Sequence, residues 1–61
     1  MCQTTAYLVD NGQEKLIMND VVTLIPEDGR VRLVNLFGEE ITVAGRIRQM
    51  DLLSHKILIT S

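Results

Sequence analysis

The chain has 61 residues and a formal net charge of −2, with 46% hydrophobic and 23% charged residues. This length makes one domain, residues 1–61, which buries only about 60% of the surface of its unfolded chain and therefore needs a disulfide, a structural metal or oligomerisation for stability. A single cysteine cannot form an intramolecular disulfide, and one cysteine with one histidine cannot form a closed zinc site. The net negative charge of the whole chain gives no electrostatic reason to expect binding of nucleic acid.

The first half of the chain predicts three short strands. Residues 2–10 are rich in β-branched and aromatic side chains, and nothing in this run breaks a strand. Asn11-Gly12 then predicts a two-residue type I′ turn, because both central residues need positive φ, and a second strand follows over residues 13–18. Residues 21–25 form a third, β-branched run that is ended by Pro26, which cannot donate to a sheet ladder.

The second half alternates more clearly between apolar and polar residues. In the predicted strand at residues 30–36, the alternation places Val31, Leu33 and Asn35 on one face. Residues 40–49 predict the longest strand, and Gly45 inside it indicates a bulge or a sharp bend at a barrel corner. Residues 50–55 indicate a connector or a single helical turn before a last strand over residues 56–60.

These elements predict an all-β fold. About six short antiparallel strands are joined by turns that contain glycine or asparagine, and no stretch predicts a long helix. This pattern is typical of a β-sandwich or a small barrel. No signal peptide pattern opens the chain and no apolar run approaches the ~20 residues of a membrane span. The sequence therefore predicts a cytoplasmic protein, in which a single thiol stays reduced.

The first three residues carry a distinctive set of metal donors. The single cysteine follows Met1, so the amine of Met1, the deprotonated amide of Cys2 and the sulfur of Cys2 close small chelate rings around one metal ion. If Met1 is removed, the amine and sulfur of Cys2 and the amide of Gln3 give an equivalent set. Planar nitrogen and sulfur donors suit nickel(II) or copper(II) better than zinc or magnesium. Met1, Cys2 and Gln3 are therefore the candidate metal ligands.

Two other roles for Cys2 stay open at this point. A lone free cysteine is usually a small buried hydrophobe. Nucleophilic catalysis would need a base beside Cys2, and His55 is the single histidine of the chain. Because no oxyanion-binding loop or orienting third group accompanies this pair, the sequence predicts no catalytic site. His55 is interpreted as a turn residue, with an additional metal ligand as its alternative role.

Four arginines support a second function. Arg30 and Arg32 share one face of a predicted strand, as do Arg46 and Arg48, and the two strands are neighbours that could pair across the turn at residues 37–39. A basic patch on a small β-barrel is a format that RNA-binding modules use. Few aromatic residues are available to stack bases, and an ordinary solvated sheet face explains the arginines equally well.

The whole chain resembles the CooT family. The resemblance is carried by Met1-Cys2, the Asn11-Gly12 turn, the stretch LVNLFGE at residues 33–39 and the closing segment at residues 47–59. These small nickel-binding proteins are accessory to the maturation of carbon monoxide dehydrogenase. The resemblance implies an SH3-like β-barrel that forms a homodimer, with the nickel-ligating cysteine at Cys2, and a role in supplying Ni(II) to the dehydrogenase rather than in catalysis.

The implied dimer suggests how the metal site is completed. Each chain offers three donors, whereas a planar site needs four. A two-fold axis brings residues near it into contact with their own copies, so two Cys2 sulfurs could share one metal if the first strands lie at the interface. A water or a side chain is the alternative fourth donor. Whether nickel is delivered, stored or sensed stays open at this point.

Overall fold

The computed structural model describes residues 3–61, and the protein is all-β as predicted. Met1 and Cys2 lie outside the described residues. The described part contains seven strands, with the bounds β1 Thr5–Asp10, β2 Gln13–Met18, β3 Val21–Glu27, β4 Arg30–Asn35, β5 Glu40–Ala44, β6 Arg46–Asp51 and β7 Lys56–Thr60. Within residues 3–61, no helix is long and apolar enough to cross a membrane.

The strands form two sheets. One has four strands in the order β2-β1-β7-β6, and the other has three in the order β3-β4-β5. All pairs are antiparallel except β1 with β7, which are parallel. The prediction of antiparallel pairing throughout is therefore wrong for this pair. Over the described residues the sheets do not close into a continuous barrel, although their arrangement agrees broadly with the SH3-like barrel that the resemblance implies.

Gly45 explains why residues 3–61 contain seven strands and not the six that the sequence predicts. It has φ 138, and a Cβ at this position would lie 2.5 Å from the carbonyl oxygen of Thr60. Only glycine fits both the backbone conformation and the close approach. The predicted strand over residues 40–49 therefore divides here, so that β5 joins one sheet and β6 the other. The bend predicted at Gly45 is confirmed.

The hydrophobic core lies between the two sheets. The predicted inward face of β4 is confirmed, because Val31, Leu33 and Asn35 are all buried, and Leu33 has no exposed surface. Members of both sheets complete the core cluster, and these are Ala6, Met18, Val21, Val31, Leu33, Ile57 and Ile59. The fold is therefore held mainly by apolar burial on the facing sides of the two sheets.

Two connections show how local sequence sets the turns. Asn11 and Gly12 have φ 52 and φ 77, which agrees with the predicted type I′ turn between β1 and β2. The connection from β6 to β7, residues 52–55, is a turn and not a helix. Asp51 stabilises this turn, because its Oδ1 accepts hydrogen bonds from the amides of Leu53 at 3.1 Å and Ser54 at 3.2 Å.

Candidate metal site at the N-terminus

Two main-chain hydrogen bonds fix the entry of the chain into β1. The carbonyl oxygen of Thr4 accepts a hydrogen bond from the amide of Val21 at 2.8 Å, and the amide of Thr5 donates to the carbonyl oxygen of His55 at 2.9 Å. These bonds hold the start of β1 between the start of β3 and the turn before β7. The N-terminal segment is therefore attached at a fixed point of the fold.

The three predicted ligands lie on the segment that leaves this fixed point. Gln3 is exposed, and it is the first described residue. Met1 and Cys2 lie outside the described residues, so the chelate of amine, amide and thiolate stays a prediction. Gln3 enters that prediction through its backbone amide and not its side chain.

A groove of about 350 Å³ borders the same end of the molecule. It is lined by six apolar side chains and by Thr4, Thr23, Asp51, His55 and Lys56. Three of these apolar side chains are well exposed, with Val22 at 57%, Met50 at 49% and Leu52 at 79%. Thr4, which precedes β1, thus borders a groove with exposed apolar side chains, and monomeric proteins usually cover such side chains when they form a large patch.

The structure brings His55 to the end of the fold where β1 begins. The parallel pairing of β1 with β7 places Thr5 opposite Lys56, so the residue before β7 lies beside the residue before β1. His55 adopts a left-handed backbone conformation with φ 55, and its side chain is exposed. The sequence interpretation as a turn residue is confirmed. Its position near the N-terminal segment was not predicted, because it depends on a strand pair that is distant in sequence.

Hydrogen bonds and ion pairs stabilise the elements around this end. The amide of Ser54, followed by its hydroxyl, contributes most to lowering the pKa of Asp51 below its ordinary value of 3.8. Lys56 Nζ lies 2.7 Å from Glu14 Oε1, and this hydrogen bond raises the pKa of Lys56 above 10.5. The same ammonium group lies 5.1 Å from the centre of the Tyr7 ring. Lys56 therefore links β7 to β2 across β1.

The four arginines do not form the predicted patch on paired strands. The strand that pairs with β4 across the turn is β5, and Arg46 and Arg48 follow it on β6, in the other sheet. The expected adjacency of the two arginine-bearing strands is therefore wrong, because Gly45 redirects the chain before Arg46. What the fold presents is two arginine pairs on different sheets.

The arginines of β4 are also engaged by carboxylates. Arg30 Nε lies 3.0 Å from Glu27 Oε1, Arg32 Nη2 contacts the other oxygen of Glu27, and Arg32 Nε lies 3.4 Å from Glu40 Oε2. Partial desolvation raises the pKa of Glu27, but the hydrogen bonds and positive charges of Arg30 and Arg32 outweigh it and hold the pKa below 4.5. These pairs lower the charge that β4 could offer to an RNA phosphate.

Residues 3–61 contain no group of three or more histidine, cysteine, aspartate or glutamate side chains that is arranged to hold a metal ion. The predicted donor set at residues 1–3 stays a prediction. The donor types there, an amine, a deprotonated amide and a thiolate, fit the square-planar preference of nickel(II). The described residues therefore do not contradict the prediction that the metal ligands lie in the N-terminal segment.

Comparison with known proteins identifies the family of this chain. The family model for the CO dehydrogenase accessory protein CooT matches residues 1–60. The chain is similar to the crystal structure of a protein assigned to CooT from Carboxydothermus hydrogenoformans, with a TM-score of 0.87, 30% identity and coverage of 97% of this chain and 95% of that one. An uncharacterized protein of Archaeoglobus fulgidus is 38% identical over 42 residues, which cover 69% of this chain and 93% of that protein. The chain belongs to the CooT family of CO dehydrogenase accessory proteins.

Proposed function

We propose that this protein carries nickel(II), binds it through Cys2, and supports nickel insertion into carbon monoxide dehydrogenase. The family match over residues 1–60 carries the proposal, because it includes Cys2 and comes from accessory proteins of that enzyme. Nickel is the cargo of this protein and not a catalytic cofactor. The chain acts as an accessory protein in the cytoplasm and catalyses no reaction of its own.

The anchoring of β1 supports a carrier role. The hydrogen bonds at Thr4 and Thr5 fix the base of the N-terminal segment, while Gln3 is exposed. A ligand set on such a segment stays within reach of a second protein. A client must replace the carrier's ligands one by one to take up the metal, and a surface site permits this exchange more readily than a closed one.

We further propose that two chains complete one metal site. Each chain supplies at most three donors from Met1, Cys2 and Gln3, and a homodimer with this end near its two-fold axis would supply two thiolates and two backbone nitrogens. The exposed apolar side chains around the neighbouring groove, such as Val22 and Leu52, support an interface at this end. A small domain also gains stability from such an interface.

The stoichiometry of binding tests the shared site. We expect nickel(II) to saturate the reduced protein at one ion per two chains, and native mass spectrometry to show that ion in the dimer. One nickel ion per chain would contradict the shared site, and would indicate that water or a side chain such as His55 supplies the fourth donor. Nickel binding itself would still stand in that case.

The affinity for nickel should depend strongly on pH. The proposed ligands bind as an unprotonated amine, an amide anion and a thiolate, so binding releases protons. An ordinary cysteine titrates near pKa ~8.5 and an ordinary α-amine near ~7.8, so lowering the pH from 8 to 6 should weaken binding by at least about a hundredfold. Calorimetric titration in a series of buffers measures this change. Affinity that stays level across this range would contradict the proposed donors.

A further inference from the structure

A second groove lies between β2 and β5. Its volume is about 680 Å³. Leu16 and Ile17 of β2, Ile41 of β5 and Phe37 of the preceding turn form its apolar surface. Phe37 is 76% exposed and Leu16 is 54% exposed. We call this the β2–β5 groove; Ile17 and Ile41 pack against the core, whereas Phe37 and Leu16 leave more than half of their surface exposed.

Both strands that border the β2–β5 groove are sheet edges. β2 ends the order β2-β1-β7-β6 and β5 ends the order β3-β4-β5, so within residues 3–61 each pairs with one neighbour only. An edge strand presents free backbone N–H and C=O groups on its outer side. An extended peptide can add to such an edge through main-chain hydrogen bonds, while its side chains enter pockets beside the strand.

A buried polar residue holds Phe37 in its exposed position. Asn35 is 7% exposed, and its Oδ1 accepts hydrogen bonds from the amides of Phe37 at 3.0 Å and Glu39 at 2.9 Å. Its Nδ2 donates to Glu39 Oε1 at 2.7 Å, and its carbonyl oxygen accepts from the amide of Gly38 at 3.0 Å. These bonds fix the backbone that presents the Phe37 side chain, and aromatic residues are typical anchors of interfaces.

The charged residues that line the groove are all acidic. Asp20, Glu39 and Glu40 line it, and no lysine or arginine is among the lining residues of the described chain. The charge of Glu40 is shared with Arg32, whose Nε lies 3.4 Å away. A symmetric contact between two copies of this face would place carboxylates against carboxylates. The charge therefore favours a basic partner over a second copy, and it also disfavours a nucleic acid.

We propose that the β2–β5 groove binds an extended segment of a partner protein in which basic and apolar residues alternate. Apolar side chains of the segment pack on Phe37 and Leu16, its basic side chains reach the acidic rim, and its main chain pairs with an edge strand. Alternation with period two turns the apolar side chains toward the groove, and the long basic side chains of the other face extend around the segment to the carboxylates at the rim. This inference does not depend on metal binding at Cys2.

A peptide titration followed by NMR tests the proposal. The probe is a nine-residue peptide in which lysine alternates with valine and leucine, added to the ¹⁵N-labelled full chain. We expect amide shifts concentrated at residues 16–20 and 35–41, and weaker binding as salt screens the charges. Phe37→Ser should weaken binding at least tenfold. The variant should fold, because Phe37 is 76% exposed.

Leu53→Ser is the matched control, because Leu53 is 93% exposed and does not line the β2–β5 groove. We expect it to bind the peptide as the original chain does. Three results would overturn the proposal: equal binding of a peptide with glutamate in place of lysine, equal weakening by both variants, or shifts located outside the groove. Shifts of the same amides with protein concentration alone would also overturn it, because a second copy would then occupy the groove.

Discussion

Replacement of the single thiol, Cys2→Ser, should abolish tight nickel binding and leave the fold intact. The change removes the one soft donor of the proposed set, and a serine hydroxyl does not replace a thiolate as a ligand for nickel(II). The fold should survive because the core cluster is formed by residues from Ala6 to Ile59, mainly aliphatic side chains of both sheets. Calorimetry with nickel(II) and far-ultraviolet circular dichroism measure the two properties on the same sample.

Gln3→Ala is the matched control for this variant. It changes the neighbouring exposed side chain but keeps the backbone amide that the alternative donor set uses. We expect nickel affinity within about twofold of the original chain. Tight binding that survives Cys2→Ser would remove the basis of the carrier proposal. Equal losses of nickel affinity in both variants would show that nickel binding depends on the N-terminal segment as a whole and not on the thiolate of Cys2.

Gly45→Ala should destabilise the protein by at least about 3 kcal/mol. The new Cβ would lie 2.5 Å from the Thr60 carbonyl oxygen, and φ 138 is a conformation that alanine rarely adopts. Backbone strain of this type costs about 1–3 kcal/mol, and the overlap with a backbone atom adds to it. A domain of this size has roughly 3–9 kcal/mol of total stability, so a large part of the variant should be unfolded. Urea denaturation measures the change.

Gly12→Ala is the control, because it is the same substitution in a turn with φ 77, where no atom lies within 4 Å of the new Cβ. It should cost only about 1–2 kcal/mol, which is the ordinary penalty for alanine in a left-handed conformation. If the two variants lost equal stability, the overlap of the new Cβ with the Thr60 carbonyl oxygen would contribute nothing to the free energy of unfolding. The role of Gly45 in separating the two sheets would then need another explanation.

Local patterns in the sequence were sufficient to predict much of the fold. Asn11-Gly12 specifies a type I′ turn by its backbone preference, and the alternation of Val31, Leu33 and Asn35 specifies the buried face of β4. Both depend on neighbouring residues only. The parallel pair of β1 and β7 depends on residues about fifty positions apart, and no local pattern encodes it. The position of His55 beside the start of β1 follows from that pair and was missed with it.

The position of Asn35 in the sequence indicates a fixed turn after β4, and the sequence prediction did not use it. It lies on the apolar face of an alternating strand, and a buried amide there needs hydrogen-bond partners. The structure supplies them from the following turn, at Phe37 and Glu39. A polar residue on a core face next to a glycine-containing turn therefore indicates a fixed turn. The predicted basic patch was wrong for a different reason. Alternation determines which side chains share a face within one strand, but it does not determine which sheet the next strand joins.

The absorption spectrum of the reduced protein during addition of nickel(II) is the most direct test of the central claim. Thiolate bound to nickel should give a charge-transfer band that grows with added metal and stops at one ion per two chains. The band should be absent from the Cys2→Ser variant under the same conditions. Nickel binding without such a band, or no binding at all, would contradict the claim that Cys2 carries the metal.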